Sequence, residues 1–226
     1  IVTPNLDHLR RLVRDAGFRA LCAGADLAVA DGMPLVWASR LQRTPLPERV
    51  AGSDLIGSLS ASAARERKRV FFLGGDPGAA EETARILGER HRELVVAGTA
   101  CPPPGFEADP AAQAAALVAR VVDARPDLVF IALGSPKQER LIATLRPCLP
   151  AAWFVGIGIS FSFVAGRLRR APPWARALGL EWSHRLIQEP RRLARRYLVD
   201  GVPFAIALFA RSAWRGLGTT FATRRA

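Results

Sequence analysis

The sequence predicts an α/β protein: a parallel sheet with helices on both faces, followed by a basic helical C-terminal appendage. Three observations predict it. Short β-rich runs alternate with longer amphipathic ones, the pattern of repeated βαβ units. The apolar runs at residues 70–73 and 128–133 are continuous rather than alternating, as strands buried on both faces are. The charge of +12 is also uneven. Residues 166–226 carry thirteen Arg against Glu181, Glu189 and Asp200, a balance of +10, and the other 165 residues carry only +2.

The elements follow in order. Residues 1–3 read as the end of a strand. Residues 6–16 form an amphipathic helix with Leu6, Leu9, Leu12 and Val13 on one face. Residues 27–30 read as a short buried strand stopped by Asp31-Gly32, and residues 33–42 as a helix. Ser53 is an N-cap candidate for a helix to about Arg67. Residues 70–73 make a strand ending in Gly74-Gly75, residues 79–91 a helix, and residues 94–97 a strand. Three prolines make residues 101–105 a loop, and Asp109 or Pro110 starts a helix to about Ala124. Residues 128–133 are the clearest buried strand. Gly134-Ser135-Pro136 and a helix to about Leu145 follow, then a strand at 153–155 and Gly156-Ile157-Gly158. Such a series makes residues 1–165 a Rossmann-like body. Residues 166–226 carry no strand signal, two proline-marked helical pieces and many Arg, and read as the appendage.

Composition excludes several classes. Half of the 226 residues are hydrophobic, so a core can form and disorder is not expected. Cys22, Cys101 and Cys148 stand far apart without a Cys-x-x-Cys pair, which excludes a disulfide scaffold and fits a reducing, cytoplasmic setting. No signal peptide opens the chain, which begins at Ile1 inside a strand-like run, as a piece of a longer protein would. No run of 18 apolar residues is present, so no spanning helix is expected.

Ligands of an open parallel sheet bind beyond the carboxyl ends of the strands. Five loops are expected there: Thr3-Pro4-Asn5, Asp31-Gly32, Gly74-Gly75, the stretch from Gly134 through Lys137 and Gln138 to Glu139, and Gly156-Ile157-Gly158. Asp31 is the best catalytic carboxylate, a base for a hydroxyl proton; the alternative is an N-cap for the helix at Met33. Thr3 and Asn5 offer polar groups to a ligand or cap the helix at Leu6. Gly74-Gly75-Asp76-Pro77-Gly78 reads either as a phosphate-cradling turn or as a plain one. It is not a P-loop, and Gly156-x-Gly158 lacks the third Gly of a dinucleotide fingerprint. His8, His91 and His184 are scattered and no Asp-x-Asp is present, so neither a metal nor another cofactor is expected. A leaving diphosphate would then need Arg, and Arg185, Arg191, Arg192, Arg195 and Arg196 are candidates. Arg192 stands three and four residues before Arg195 and Arg196, giving one cationic helix face, for a ligand or for solvent.

Several segments together resemble the WecB/TagA/CpsF family, glycosyltransferase family 26. They are Thr3-Pro4-Asn5-Leu6-Asp7, Ala25-Asp26-Leu27 with Asp31-Gly32, Arg49-Val50-Ala51-Gly52-Ser53-Asp54, Phe72-Leu73-Gly74-Gly75, and Leu133-Gly134-Ser135-Pro136-Lys137-Gln138-Glu139. The last block runs from Gly166 to Arg196, with Arg170-Ala171-Pro172, Glu181-Trp182, Arg185 and Glu189-Pro190-x-Arg192. The resemblance implies an inverting, metal-independent glycosyltransferase. It would move N-acetylmannosamine or its uronic acid from a UDP donor to a polyprenyl-diphosphate-linked sugar at the cytoplasmic membrane face. The products would feed teichoic acid linkage units, enterobacterial common antigen or capsule. The resemblance makes Asp31 the general base and Thr3, Asn5 and Gln138 active-site polar residues. It makes Arg185, Arg192 and Arg195 the diphosphate-binding groups. Gly74, Gly75, Gly134, Lys137, Gly156, Gly158 and Ser162 complete the expected substrate-binding set. The family's Gly-Val-Gly-Gly-x-Phe-Asp reads here as Gly156 to Ser162, with Ser where the Asp associated with the nucleotide base stands. The family also has an early strand and helix that this chain lacks.

The expected partners are a UDP-sugar, a lipid-linked saccharide and an anionic membrane surface. The apolar run at 202–210 is too short to span a bilayer. With Arg211, Trp214, Arg215, Phe221, Arg224 and Arg225 after it, it fits a segment in the headgroup layer; packing on the body or another subunit is the alternative. A nucleic-acid-binding module would also use the +10 tail, but Trp174, Trp182, Phe204, Phe209 and Trp214 interleaved with Arg speak against it. A non-catalytic nucleotide-sugar-binding relative is a further alternative, and the oligomeric state, a homo-oligomer included, stays open.

Overall fold

The computed structural model describes the backbone of residues 1–102 and 110–223 and the side chains of residues 1–102 and 115–218. Most of the expected proline loop, the helix start at Asp109, the Phe221 side chain, and Arg224 and Arg225 lie outside the described residues. In chain order the helices are α1 (Leu6–Arg14), α2 (Ala16–Ala23), α3 (Met33–Leu41), α4 (Gly52–Arg65), α5 (Ala79–Arg90), α6 (Pro110–Asp123), α7 (Lys137–Leu145), α8 (Ser160–Val164), α9 (Pro173–Ala177), α10 (Glu181–Gln188), α11 (Pro190–Ala194) and α12 (Val202–Thr223). A π-helical stretch at Arg195–Gly201 joins the last two. The strands are β1 (Arg69–Gly74), β2 (Val95–Ala100), β3 (Leu128–Ala132) and β4 (Trp153–Gly156). Two compact units result. One comprises Ile1–Thr3, Ala20–Leu27 and Gly52–Arg169; the other comprises Pro4–Arg19, Ala28–Ala51 and Arg170–Ala226.

The first unit holds the sheet, ordered β2-β1-β3-β4 with every pair parallel. The strands are apolar throughout because successive side chains enter different cores. Val70, Phe72, Leu128, Phe130 and Val155 pack with Ile56 of α4 and Leu87 of α5. Phe71, Leu73, Val129, Ile131 and Phe154 pack with Val121 of α6 and Leu145 of α7. Helices therefore cover both faces, as expected. Each fully buried Phe here contributes about 1.5–3 kcal/mol. Phe72 and Phe130, directly paired in register, also meet ring to ring at 5.7 Å.

Two expected strands do not form. Residues 27–30 contribute only an isolated bridge, and Leu27 is 46% exposed. Residues 1–3 likewise give a bridge at Val2, whose N–H donates to Leu27 O at 2.9 Å. A run of three or four apolar residues has no strand character of its own until a partner lies beside it. Ser53 is not a cap, because α4 already begins at Gly52.

The second unit is helical. α12 packs on α3: Phe209 and Trp37 rings stand 6.4 Å apart, and Gly216 lies against the Leu41 carbonyl, where a side chain has no room. The apolar run at 202–210 is thus the first part of a 22-residue helix. Among the described residues no helix is both long and apolar enough to cross a membrane. Among the described residues beyond Gly166 there are four α-helices and the π-helical stretch, more than the two pieces expected.

Candidate active site

The candidate residues occur in both units. In the first unit, β1, β3 and β4 end in turns that reverse sharply. Gly74 has φ +95°, and a Cβ there would stand 2.8 Å from Ala132 O, so only glycine fits between the β1 and β3 ends. Gly75 N–H donates to Ala132 O at 2.7 Å and locks this turn. Gly134 follows β3 at φ +72°, then a cis Ser135-Pro136 bond, and Lys137 opens α7 on the surface.

Gln138 is only 3% exposed. Its Nε2 donates to Glu139 Oε1 at 2.9 Å, and its Oε1 accepts from Gly158 N–H at 3.3 Å. A Cβ on Gly156 would come within 2.6 Å of Gln138 Nε2, so the missing side chain at 156 is what admits the amide. Thr3 Oγ1 donates to Gly156 O at 3.0 Å. Thr3, Gln138, Gly156 and Gly158, spread over 156 positions of sequence, thus form one cluster at the carboxyl end of β4. Ser162, buried in α8, donates to Asp76 Oδ2 at 3.2 Å and ties the glycine turn after β1 to the segment after β4. Arg167 Nη1 donates to Pro77 O at 2.7 Å in that turn. Asp76 had no assigned role from sequence; its position in the glycine turn was the only signal.

In the second unit Asn5 is the N-cap of α1. Its Oδ1 accepts from Asp7 N–H and His8 N–H, both at 3.1 Å, and lies 2.9 Å from His8 Nδ1. Of the two capping candidates Asn5 therefore caps and Thr3 does not. Asp31 N–H donates to Pro4 O at 2.8 Å, and Gly32 Cα lies beside Asn5, so Asp31 and Asn5 share one corner. The N-cap of α3 is Gly32, without a side-chain cap, so the capping alternative for Asp31 does not hold. The loops at Asn5 and Asp31 follow bridges rather than strands of the sheet.

Several arginines in this unit are held by carboxylates. Asp7 takes Arg10 Nη2 and Arg196 Nη2 at 3.0 Å and Arg11 Nε at 3.2 Å. Burial alone would raise the Asp7 pKa, but Arg196, Arg10 and Arg11 outweigh it and hold it below the usual carboxylate range. Glu181 takes Arg49 Nη1 at 2.7 Å and stands 3.6 Å from Arg170 Nε, joining two of the blocks that carried the resemblance. Glu189 takes Arg192 and, more loosely, Arg185. Arg195 is exposed, with no ion pair among the described residues. Arg196, bound to Asp7, does not share a free face with Arg192, so the single cationic stripe expected from spacing is divided. The sequence reading gave Glu189 no role, and the structure pairs it with two of the candidate arginines. Its place four after Arg185 and three before Arg192 was the available signal.

No group of three or more His, Cys, Asp or Glu able to hold a metal occurs among the described residues. Burial and the nearby Glu139 push the Cys22 thiol up to about 11, and burial with Glu81 and Asp76 raises Cys101, so neither is an activated nucleophile.

The parallel α/β unit carries glycine turns at its carboxyl edge, and the helical unit carries arginines paired with carboxylates, groups of the kinds that phosphate-handling transferases use. Comparison with known proteins names the class. The model of the glycosyl transferase WecG/TagA/CpsF family matches residues 1–217. An N-acetylglucosaminyldiphosphoundecaprenol N-acetyl-beta-D-mannosaminyltransferase of Bacillus subtilis (strain 168) is 32% identical over 196 residues, 86% of this chain and 73% of its own length. A protein of the same name from Bacillus spizizenii (strain W23) is 34% identical over 195 residues, with the same coverage. The chain belongs to the WecG/TagA/CpsF family and is a glycosyltransferase.

Proposed function

We propose that the protein moves an N-acetylmannosamine-like sugar from a UDP donor to a sugar carried on polyprenyl diphosphate, for a cell-surface polysaccharide. The observation that carries this reading is the match over 86% of the chain to two relatives whose names state the transfer of N-acetylmannosamine to N-acetylglucosaminyldiphosphoundecaprenol. In this reading Asp31 takes the proton of the acceptor hydroxyl as that oxygen attacks the anomeric carbon. The bond to the leaving UDP breaks on the opposite face, so the centre inverts and no protein nucleophile is needed. The β-mannosaminyl product in the relatives' names is what one displacement makes from an α-linked donor. Charge builds on the diphosphate, and Arg185, Arg192 and Arg195 stabilise it. Asn5 supports Asp31 from the adjoining cap, and Thr3, Gln138, Gly156 and Gly158 form the donor side with Gly74, Gly75, Gly134, Lys137 and Ser162. Residues 1–165 serve as the catalytic body and residues 166–226 as the appendage.

The test is a screen of nucleotide sugars against a polyprenyl-diphosphate-linked N-acetylglucosamine acceptor, scored by mass spectrometry with and without excess EDTA. Transfer from UDP-N-acetylmannosamine, unchanged by EDTA, is expected. Loss in EDTA with recovery on magnesium or manganese would overturn the arginine-only account of the leaving group.

The acceptor's lipid lies in a membrane, and we propose that α12 meets it. Ile206 is 65% exposed and Trp214 76% exposed, and Val202 and Leu217 share their side of the helix with Arg211 at its flank. An apolar face with basic residues fits the headgroup layer, and each surface Arg adds about 1 kcal/mol towards anionic lipid. Because α12 also packs on α3, substitution is a cleaner test than truncation. Sedimentation with phosphatidylglycerol vesicles at low salt is expected, weaker with neutral vesicles, and lost in the double variant Ile206→Glu, Trp214→Glu. Equal sedimentation of variant and parent would remove α12 as the contact.

A further inference from the structure

Glu189 closes α10 as its C-cap and immediately precedes Pro190, the first residue of α11. The change of direction there brings two guanidinium groups from different helices to one carboxylate. Arg192 donates from Nε to Oε1 at 2.8 Å and from Nη2 to Oε2 at 2.5 Å, a two-point fork. Arg185 Nη2 stands 3.7 Å from the same Oε2. Two cations would otherwise repel each other and swing apart. The shared anion holds both within one anion's reach, in the geometry by which a guanidinium also grips a phosphate.

We propose that Glu189 is a positioning residue: an internal counter-anion that gathers Arg185 and Arg192 and competes with the diphosphate for them. The proposal rests on the reading of Arg185 and Arg192 as diphosphate-binding groups. Arg192, the more exposed of the two, re-pairs with the incoming phosphate, and the Glu189 charge left nearby weakens the grip on the diphosphate after transfer. Two effects of opposite sign follow from neutralising Glu189. The arginines lose their ordering, which slows the chemical step. They also lose a competing anion, which tightens the binding of a bare diphosphate. A merely structural role would produce the first effect without the second.

The experiment is calorimetric binding of inorganic pyrophosphate and of UDP to the whole protein, its E189Q, E189D and R192A variants, with kcat and melting temperature for each. E189Q is expected to bind pyrophosphate roughly two- to fivefold tighter than wild type, the span of a partly exposed ion pair. The gain should shrink at high salt while kcat falls. E189D keeps the charge but shortens the reach. It should bind pyrophosphate like wild type and still lose kcat, and it carries the test if E189Q melts early. Pyrophosphate binding unchanged or weakened in E189Q, or E189D with wild-type kcat, would overturn the role of Glu189. R192A should bind pyrophosphate more weakly. Wild-type affinity in R192A would instead overturn the diphosphate reading beneath the proposal, so the two failures are distinguishable.

Discussion

Asp31→Asn is expected to lower turnover by roughly 10²- to 10⁴-fold while UDP binding persists, the usual cost of losing a general base. The substitution keeps the size of the side chain and removes its basicity. Two features of the structure make the result readable. The N-cap of α3 is Gly32, so no helix cap is lost with the carboxylate. The backbone of Asp31 is held by its own N–H on Pro4 O, a bond the substitution leaves in place. Melting temperature measured beside kcat tells the loss of the base from a loss of folded protein. Near-normal turnover would remove Asp31 as the base, and the search would then turn to other carboxylates.

Arg192→Ala is expected to lower kcat by roughly 10²- to 10³-fold, the span seen when one preorganised donor to a developing anion is removed. With no metal assumed, the negative charge of the departing diphosphate must be met by side chains. In the proposed reading Arg192 meets it with the two donors, Nε and Nη2, that it gives to Glu189 in the structure. Arg192→Lys keeps the charge but loses the fork, so it should recover only part of the rate. Stability should change little, because the ion pair with Glu189 is largely exposed on the Arg192 side. Steady-state kinetics beside thermal melts separate the outcomes. A kcat in R192A equal to wild type would show that another group carries the leaving-group charge.

Several features were legible in the residues themselves. β3 is a continuous apolar run of strand length between turn residues, and every one of its side chains is buried. β1, α5 and α7 also fall where the apolar pattern and the glycine turns put them, because such signals are local. Asn5 as a cap is local too, set by the first turn of α1. The resemblance rested on the same kind of information, short blocks of residues in a fixed order, and the family match over residues 1–217 bears it out.

Other features depend on what the chain meets after folding. Residues 27–30 carry the apolar character of a strand, yet only a bridge forms, since a strand exists by virtue of its neighbour's hydrogen bonds. Interruptions by Pro203 and Arg211 made residues 202–210 look short, whereas Pro is tolerated in a first helical turn and the exposed side accepts Arg, so α12 runs on to Thr223. Thr3 meets Gly156 across 153 positions, and Arg49 meets Glu181 across 132. Nothing in the spacing of either pair announces the contact. The sequence by itself determined the class of fold, the family and the residue types available for chemistry, because these reside in local pattern and order. Which carboxylate holds which arginine, and which glycine admits Gln138, only the tertiary structure decided, because contacts between distant segments are set by packing rather than by distance along the chain.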